Sequence, residues 1–123
     1  MISVITPTYN AEPYIKQSLE CILNQTYKEL ELIVVLDCPT DNTETIVNEI
    51  AKQDSRVTII KNTENLGAGA SRFKGISQAK GEYILLNDAD DYYSLNFIED
   101  LYNAAVKYDA DIVSGGITTI SYD

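Results

Sequence analysis

Leu32-Ile33-Val34-Val35-Leu36 runs directly into Asp37-Cys38-Pro39-Thr40-Asp41-Asn42. An unbroken apolar run of strand length belongs to a strand buried on both faces, because a half-exposed strand would alternate apolar with polar residues. The same unit recurs on either side. Residues 2–6 form a short apolar strand, and residues 12–24 carry Ile15, Leu19, Ile22 and Leu23 at helical spacing, with Pro13 tolerated in the first turn. Downstream, Asp41 with Glu44 opens a helix bearing Ile46, Val47 and Ile50 in the manner of a capping box. Residues 57–60 read as a third strand, 68–79 as a third helix and 82–86 as a fourth strand. Ser94 then caps a helix whose Leu95, Ile98, Leu101, Tyr102 and Ala105 face one way. Residues 110–114 and 117–122 look like further strands, parted by Gly115-Gly116. The alternation predicts an α/β fold, a mostly parallel sheet with helices on both faces.

Composition narrows the class. With 123 residues, 45% of them hydrophobic, the chain suits one globular core and reads as one domain or part of one. Nine Lys and Arg among nineteen acids, for a net charge of -10, cannot build the broad basic face that nucleic acid or an anionic membrane needs. Met1 leads straight into a strand, and no apolar run approaches the length of a membrane span, so the chain is expected to be cytoplasmic. Cys21 and Cys38 fall in different elements and match no metal spacing, which predicts two reduced thiols.

In sheets of this kind ligands bind outside the carboxyl ends of the strands, near the switch in strand order. The unusual residues collect there: Thr6-Pro7-Thr8-Tyr9-Asn10, the Asp37 to Asn42 segment, Asn65-Leu66-Gly67-Ala68-Gly69-Ala70-Ser71-Arg72, and Asp88-Ala89-Asp90-Asp91. If the fourth strand stays extended through its acids, Asp88 and Asp90 project to one side about 7 Å apart. Two hard oxygen donors so placed suit Mg2+ or Mn2+ held against a diphosphate. The alternative is a solvated turn or helix cap. An EF-hand loop is the sharper rival, since Glu99 is twelfth from Asp88, but the sixth position is Tyr93 instead of Gly and the preceding segment reads as strand. Gly67 and Gly69 do not make a dinucleotide fingerprint, because Arg72 stands where its third Gly belongs and the loop does not follow the first strand. A flavodoxin-like phosphoacceptor domain would need acids after its first strand, where this chain has Tyr9-Asn10.

With these segments in this order, and with Ser3-Val4-Ile5-Thr6-Pro7-Thr8-Tyr9-Asn10, Asn24-Gln25-Thr26-Tyr27, Thr40-Asp41-Asn42-Thr43 and Lys80-Gly81-Glu82-Tyr83-Ile84, the chain resembles the nucleotide-diphospho-sugar half of glycosyltransferase family 2. The resemblance covers essentially the whole chain. It implies a GT-A type, Rossmann-like fold, truncated here, and metal-dependent, inverting transfer of a sugar from a nucleoside diphosphate to an acceptor hydroxyl. It places Pro7, Thr8 and Tyr9 in the donor site, with Tyr9 near the nucleobase, and assigns Asp37 to accept a hydrogen bond from the base, for which UDP is expected. The usual Asp-Asp-Gly-Ser is replaced by Leu36-Asp37-Cys38-Pro39, so one acid of two remains. Arg72 corresponds to a basic residue near the nucleotide or its phosphates, which Lys74 would assist. Asp90 is the implied direct ligand of Mg2+ or Mn2+, with Asp88 nearer the ribose and sugar and Asp91 orienting the sugar or beginning the next turn. The implied partners are a UDP-sugar and a carbohydrate or lipid-linked acceptor, with no nucleic acid. The catalytic base is expected beyond Asp123, so residues 1–123 are read as the donor-binding part, able to bind a nucleoside diphosphate but not to transfer sugar. A non-catalytic nucleotide- or metal-binding module of the same fold is the alternative.

Overall fold

The computed structural model describes residues 1–115. Strands and helices alternate along it: β1 (Ile2–Thr8), α1 (Ile15–Leu23), β2 (Leu30–Leu36), α2 (Thr43–Gln53), β3 (Val57–Lys61), α3 (Ala68–Gln78), β4 (Tyr83–Leu86) and α4 (Phe97–Tyr108). The strands form one all-parallel sheet in the order β3-β2-β1-β4, registered Ile2 to Leu30, Ile2 to Tyr83 and Leu32 to Val57. This is the α/β, parallel-sheet architecture expected from the strand and helix patterns, and it agrees with the GT-A type that the family resemblance implies.

Chain direction explains the layers. The steps from β1 to β2 and β2 to β3 move one way across the sheet, and the step from β3 to β4 returns past β1. Right-handed crossovers then put the first two helices on one face and the third on the other. Ile2, Val4, Leu30, Leu32, Val34 and Leu36 accordingly face Ile15, Leu19 and Ile22 of α1, Val47 and Ile50 of α2 and Ile98 of α4. Ile5, Ile33 and Val35 point the other way, toward α3. That helix approaches closely because residue 75 is Gly, whose absent Cβ would collide with Ile5 Cγ2. Burial on both faces is what made β2 read as a continuous apolar run.

Several local expectations are corrected. β1 continues through Pro7 to Thr8. Ile5 O accepts from Asn87 N, so Pro7, two residues on, turns its missing N–H toward β4 beyond the last paired residue, where no ladder partner is forfeited. The capping box at α2 does not form: Asp41 Oδ1 accepts from Thr43 N at 3.0 Å, while Glu44 pairs with Lys61 at 3.0 Å. Ser94 does not cap α4 with its side chain, and Leu95 lies before the helix and is 60% exposed. Residues 110–114 are not a strand. Ala110 N donates to Ala105 O and Ala110 O accepts from Tyr83 Oη, bonds that close a helix end and anchor a loop but make no ladder. The strand expected over 117–122 lies outside the described residues. Among the described residues no helix is long and apolar enough to cross a membrane.

Candidate functional site

The strand order reverses between β1 and β4, so the crevice expected in such sheets opens where Thr8 and Asn87 leave them. Asp37 stands one strand away, its N–H donating to Thr8 O at 2.9 Å. It is 3% exposed. Its carboxylate accepts from Asn62 Nδ2 (2.9 Å) and Leu66 N (2.7 Å) on Oδ1, and from Gly67 N (2.9 Å) on Oδ2. Burial alone would raise its pKa, but these donors, with the charge of Lys74 nearby, outweigh burial and hold it below the usual value. The loop can fold back onto Asp37 because Gly67 takes φ 87, a conformation costly to residues with a Cβ.

Asn62 is a member of this bonded group that was not among the residues expected there. Buried at the end of β3, it donates to Asp37 and to Ser71 Oγ (3.0 Å) and accepts from Lys74 Nζ (3.0 Å). The available signal was a polar residue directly after an apolar strand, which a turn explains equally well. Lys74 is thereby tied to Asp37 and Asn62 and not to the acidic segment. Arg72, about one turn into α3, instead donates from a terminal guanidinium nitrogen to Asp88 Oδ1 at 3.1 Å. Asp37, the loop at 65–67, α3 and Arg72 therefore form a continuous link from the end of β2 to the acids after β4. The pair is largely exposed and adds little stability; its consequence is placement.

The extended conformation does not last to Asp90. Asp91 N donates to Asp88 O at 3.0 Å, closing a turn that carries Asp88, Asp90 and Asp91 together. Asp91 has a raised pKa, first from burial and then from the charges of Asp88 and Asp90. Mutually repelling carboxylates of this kind are complemented by a cation. Among the described residues no three His, Cys, Asp or Glu side chains form a metal cage. An open set of one or two carboxylates fits Mg2+ or Mn2+, which keep positions for phosphate oxygens and water.

On the other side of the crevice, Tyr9 is 52% exposed and offers a ring face, while Thr8 is buried with its hydroxyl donating to Thr6 O at 3.2 Å. Pro7 is half-buried. Asn10, at φ 44, accepts from Thr40 N at 2.7 Å and so ties the loop after β1 to the loop after β2. Cys38 also has positive φ, 54, at the position where the family pattern places Gly. The left-handed conformation costs an L residue about 1–2 kcal/mol, against about 0.5–1 kcal/mol of extra chain entropy lost by Gly and the weak bond from the Cys38 thiol to Asn62 O. Cys38→Gly is therefore expected to leave the melting temperature unchanged or slightly raised. Cys38→Val, β-branched at positive φ, should lower it clearly. Thermal denaturation of both variants checks this order, and a Val variant as stable as the parent would contradict it.

The family model described as glycosyl transferase family 2 matches residues 3–123. The chain belongs to this family. It is 43% identical over 94% of its length to the glycosyltransferase GlyG of Streptococcus pneumoniae, covering 38% of that protein. Among solved structures it is similar to S. aureus TarS 1-349 in complex with UDP-GlcNAc, with TM-score 0.84, 30% identity, and coverage of 96% of this chain and 37% of TarS 1-349. It is also similar to the mannosyltransferase PcManGT from Pyrobaculum calidifontis in complex with GDP-Man and Mn2+, with TM-score 0.76, 32% identity, and coverage of 89% and 32%. The chain thus spans less than two fifths of each of these matched chains.

Proposed function

We propose that the protein is an inverting glycosyltransferase and that residues 1–123 supply its donor site, holding a nucleoside diphosphate sugar, with UDP as the nucleotide. The observation that carries this reading is the Asp88–Asp91 turn at the switch in strand order, its carboxylates repelling one another and Arg72 bonded to Asp88. Nucleotide-sugar complexes of TarS and PcManGT support the donor class. Tyr9 offers its ring to the nucleobase, Asp37 borders the base side, and Arg72 faces the phosphates. Asp90 and Asp88 are the residues that would hold Mg2+ or Mn2+, which when bound stabilises negative charge on the departing diphosphate.

An acceptor hydroxyl, on a carbohydrate or lipid-linked sugar, attacks the anomeric carbon opposite the diphosphate and loses its proton to a carboxylate base. The base is assigned to a residue beyond 1–123, as the resemblance to the family implies. Two free thiols and an acidic surface suit a cytoplasmic setting.

Calorimetric titration with UDP, CDP and ADP, with and without Mn2+, tests the reading. UDP should bind most tightly and more tightly still with Mn2+, and the 123-residue chain should bind without transferring sugar. Equal affinities would remove the preference for UDP, absence of any nucleotide binding would remove the donor site, and sugar transfer by residues 1–123 would place the base among them.

A further inference from the structure

The backbone from Asp88 to Asn96 belongs to no helix or strand, so its N–H and C=O groups need partners from elsewhere. Beyond the turn from Asp88 to Asp91 and the bond of Phe97 N to Ser94 O, α1 and the residues just after it supply several of them. Ser18 Oγ donates to Asp88 O at 3.4 Å. Cys21 Sγ accepts from Tyr93 N at 3.1 Å and donates to Tyr93 O at 3.0 Å. Thr26 N donates to Leu95 O at 2.8 Å. Gln25, with no exposed surface, does the most: Nε2 donates to Ser94 O at 2.7 Å and to Cys21 O at 3.2 Å, while Oε1 accepts from Ile98 N at 3.0 Å. Ile98 is the second residue of α4, so Gln25 caps from a distance a helix that its own N-cap side chain leaves open.

Ser18 and Cys21, three residues apart, share one face of α1, and Gln25 follows just past the helix end, so the three side chains make one row against the loop. We propose that this row is the template on which the acidic loop is laid, and that Gln25 is its chief positioning residue, fixing residues 93–98 so that the turn from Asp88 to Asp91 presents its carboxylates in one arrangement. The functional half of this inference rests on the proposed Mn2+ and nucleotide reading; the structural half does not. Truncating the Gln25 amide leaves Ile98 N without its partner in a buried place and leaves Ser94 O with Phe97 N alone. The resulting freedom falls on the loop that follows β4 and not on Asp37 or Tyr9, which stand on other strands.

The test uses Gln25→Met, similar in length and without hydrogen-bonding groups, and Cys21→Ala, which removes only the two bonds at Tyr93. Two readouts are taken: amide hydrogen exchange without ligand, and the gain in UDP affinity on adding Mn2+ compared with affinity in its absence. In Gln25→Met the amides of residues 91–98 should exchange faster relative to those of β1 and β2. The Mn2+-linked gain should fall about tenfold, as for residues that support metal ligands, with Mn2+-free affinity kept. Cys21→Ala should shift both readouts in the same direction by less, and it carries the test if Gln25→Met does not fold. Acceleration spread evenly over the sheet, or unchanged exchange in residues 91–98, overturns the positioning role. A parent without any Mn2+-linked gain sinks the metal reading alone, and the exchange result still decides whether Gln25 holds the loop. A parent with that gain and a variant that keeps it in full overturns the link from Gln25 to the site.

Discussion

Asp90→Asn is expected to lower Mn2+-dependent nucleotide affinity by at least about tenfold to a hundredfold, the range seen when groups supporting a metal are removed. The substitution exchanges an anionic oxygen for an amide nitrogen that cannot ligate a hard cation. Stability should move little, because Asp90 is exposed and surface changes of this kind usually fall within about 0.5 kcal/mol. Its charge contributes to the repulsion that raises the pKa of Asp91, so removal relieves strain in the turn. Calorimetric titration of UDP with and without Mn2+, beside a thermal melt, separates the two effects. An unchanged Mn2+-linked gain in the variant would remove Asp90 from the metal site.

The second large effect is expected at Asp37. Its three hydrogen bonds divide two to one between the oxygens, so the best orientation of an Asn side chain keeps Asn62 and Leu66 on the remaining oxygen and turns an NH2 against Gly67 N–H. The part-buried Gly67 N–H is then left facing another donor, at a cost of about 1–3 kcal/mol. Asp37→Asn should lower the melting temperature accordingly. The sign of the pH dependence follows from the depressed pKa. The stability contributed by the ionised carboxylate is full above the ordinary value of 3.8 and is lost as pH falls through the lower folded value, so the gap between parent and variant should close in that acid range. Urea denaturation at neutral pH and below pH 3.8 measures it; a gap that widens with acid contradicts the assignment. The carboxylate has about four acceptor positions, of which the bonds to Asn62, Leu66 and Gly67 use three. Selective loss of UDP affinity, beyond a uniform loss for UDP, CDP and ADP, is the further result that would identify base recognition at Asp37.

The metal and base assignments were legible to different degrees. The acids after β4 stood out because carboxylates at the end of an apolar run have no packing reason to be there. Asp37 was legible as a residue of the rim, yet its bonds to Leu66 and Gly67 were not, since nothing near position 37 in the chain announces a loop about thirty residues away. The same holds for Arg72: its place on a helix could be read, whereas its bond to Asp88 depends on how α3 crosses the sheet. Lys74, a neighbour in sequence, points its charge to Asn62 instead.

Periodicity and apolar runs determined the strands, the helices and the parallel, doubly covered sheet, because each reports the burial of a residue's own side chain and burial is imposed locally by the period of the element. Tertiary structure alone decided the strand order, the turn at Asp88, the failure of residues 110–114 to pair and the capping of α4. Gln25 Oε1 and Ile98 N are separated by 73 residues, and Cys21 and Tyr93 by 72. Such bonds exist only after the switch in strand order has set α1 beside the loop that follows β4. Their physical basis is the need of buried backbone groups for partners, a demand visible only once the chain has folded and the distances between those groups are set.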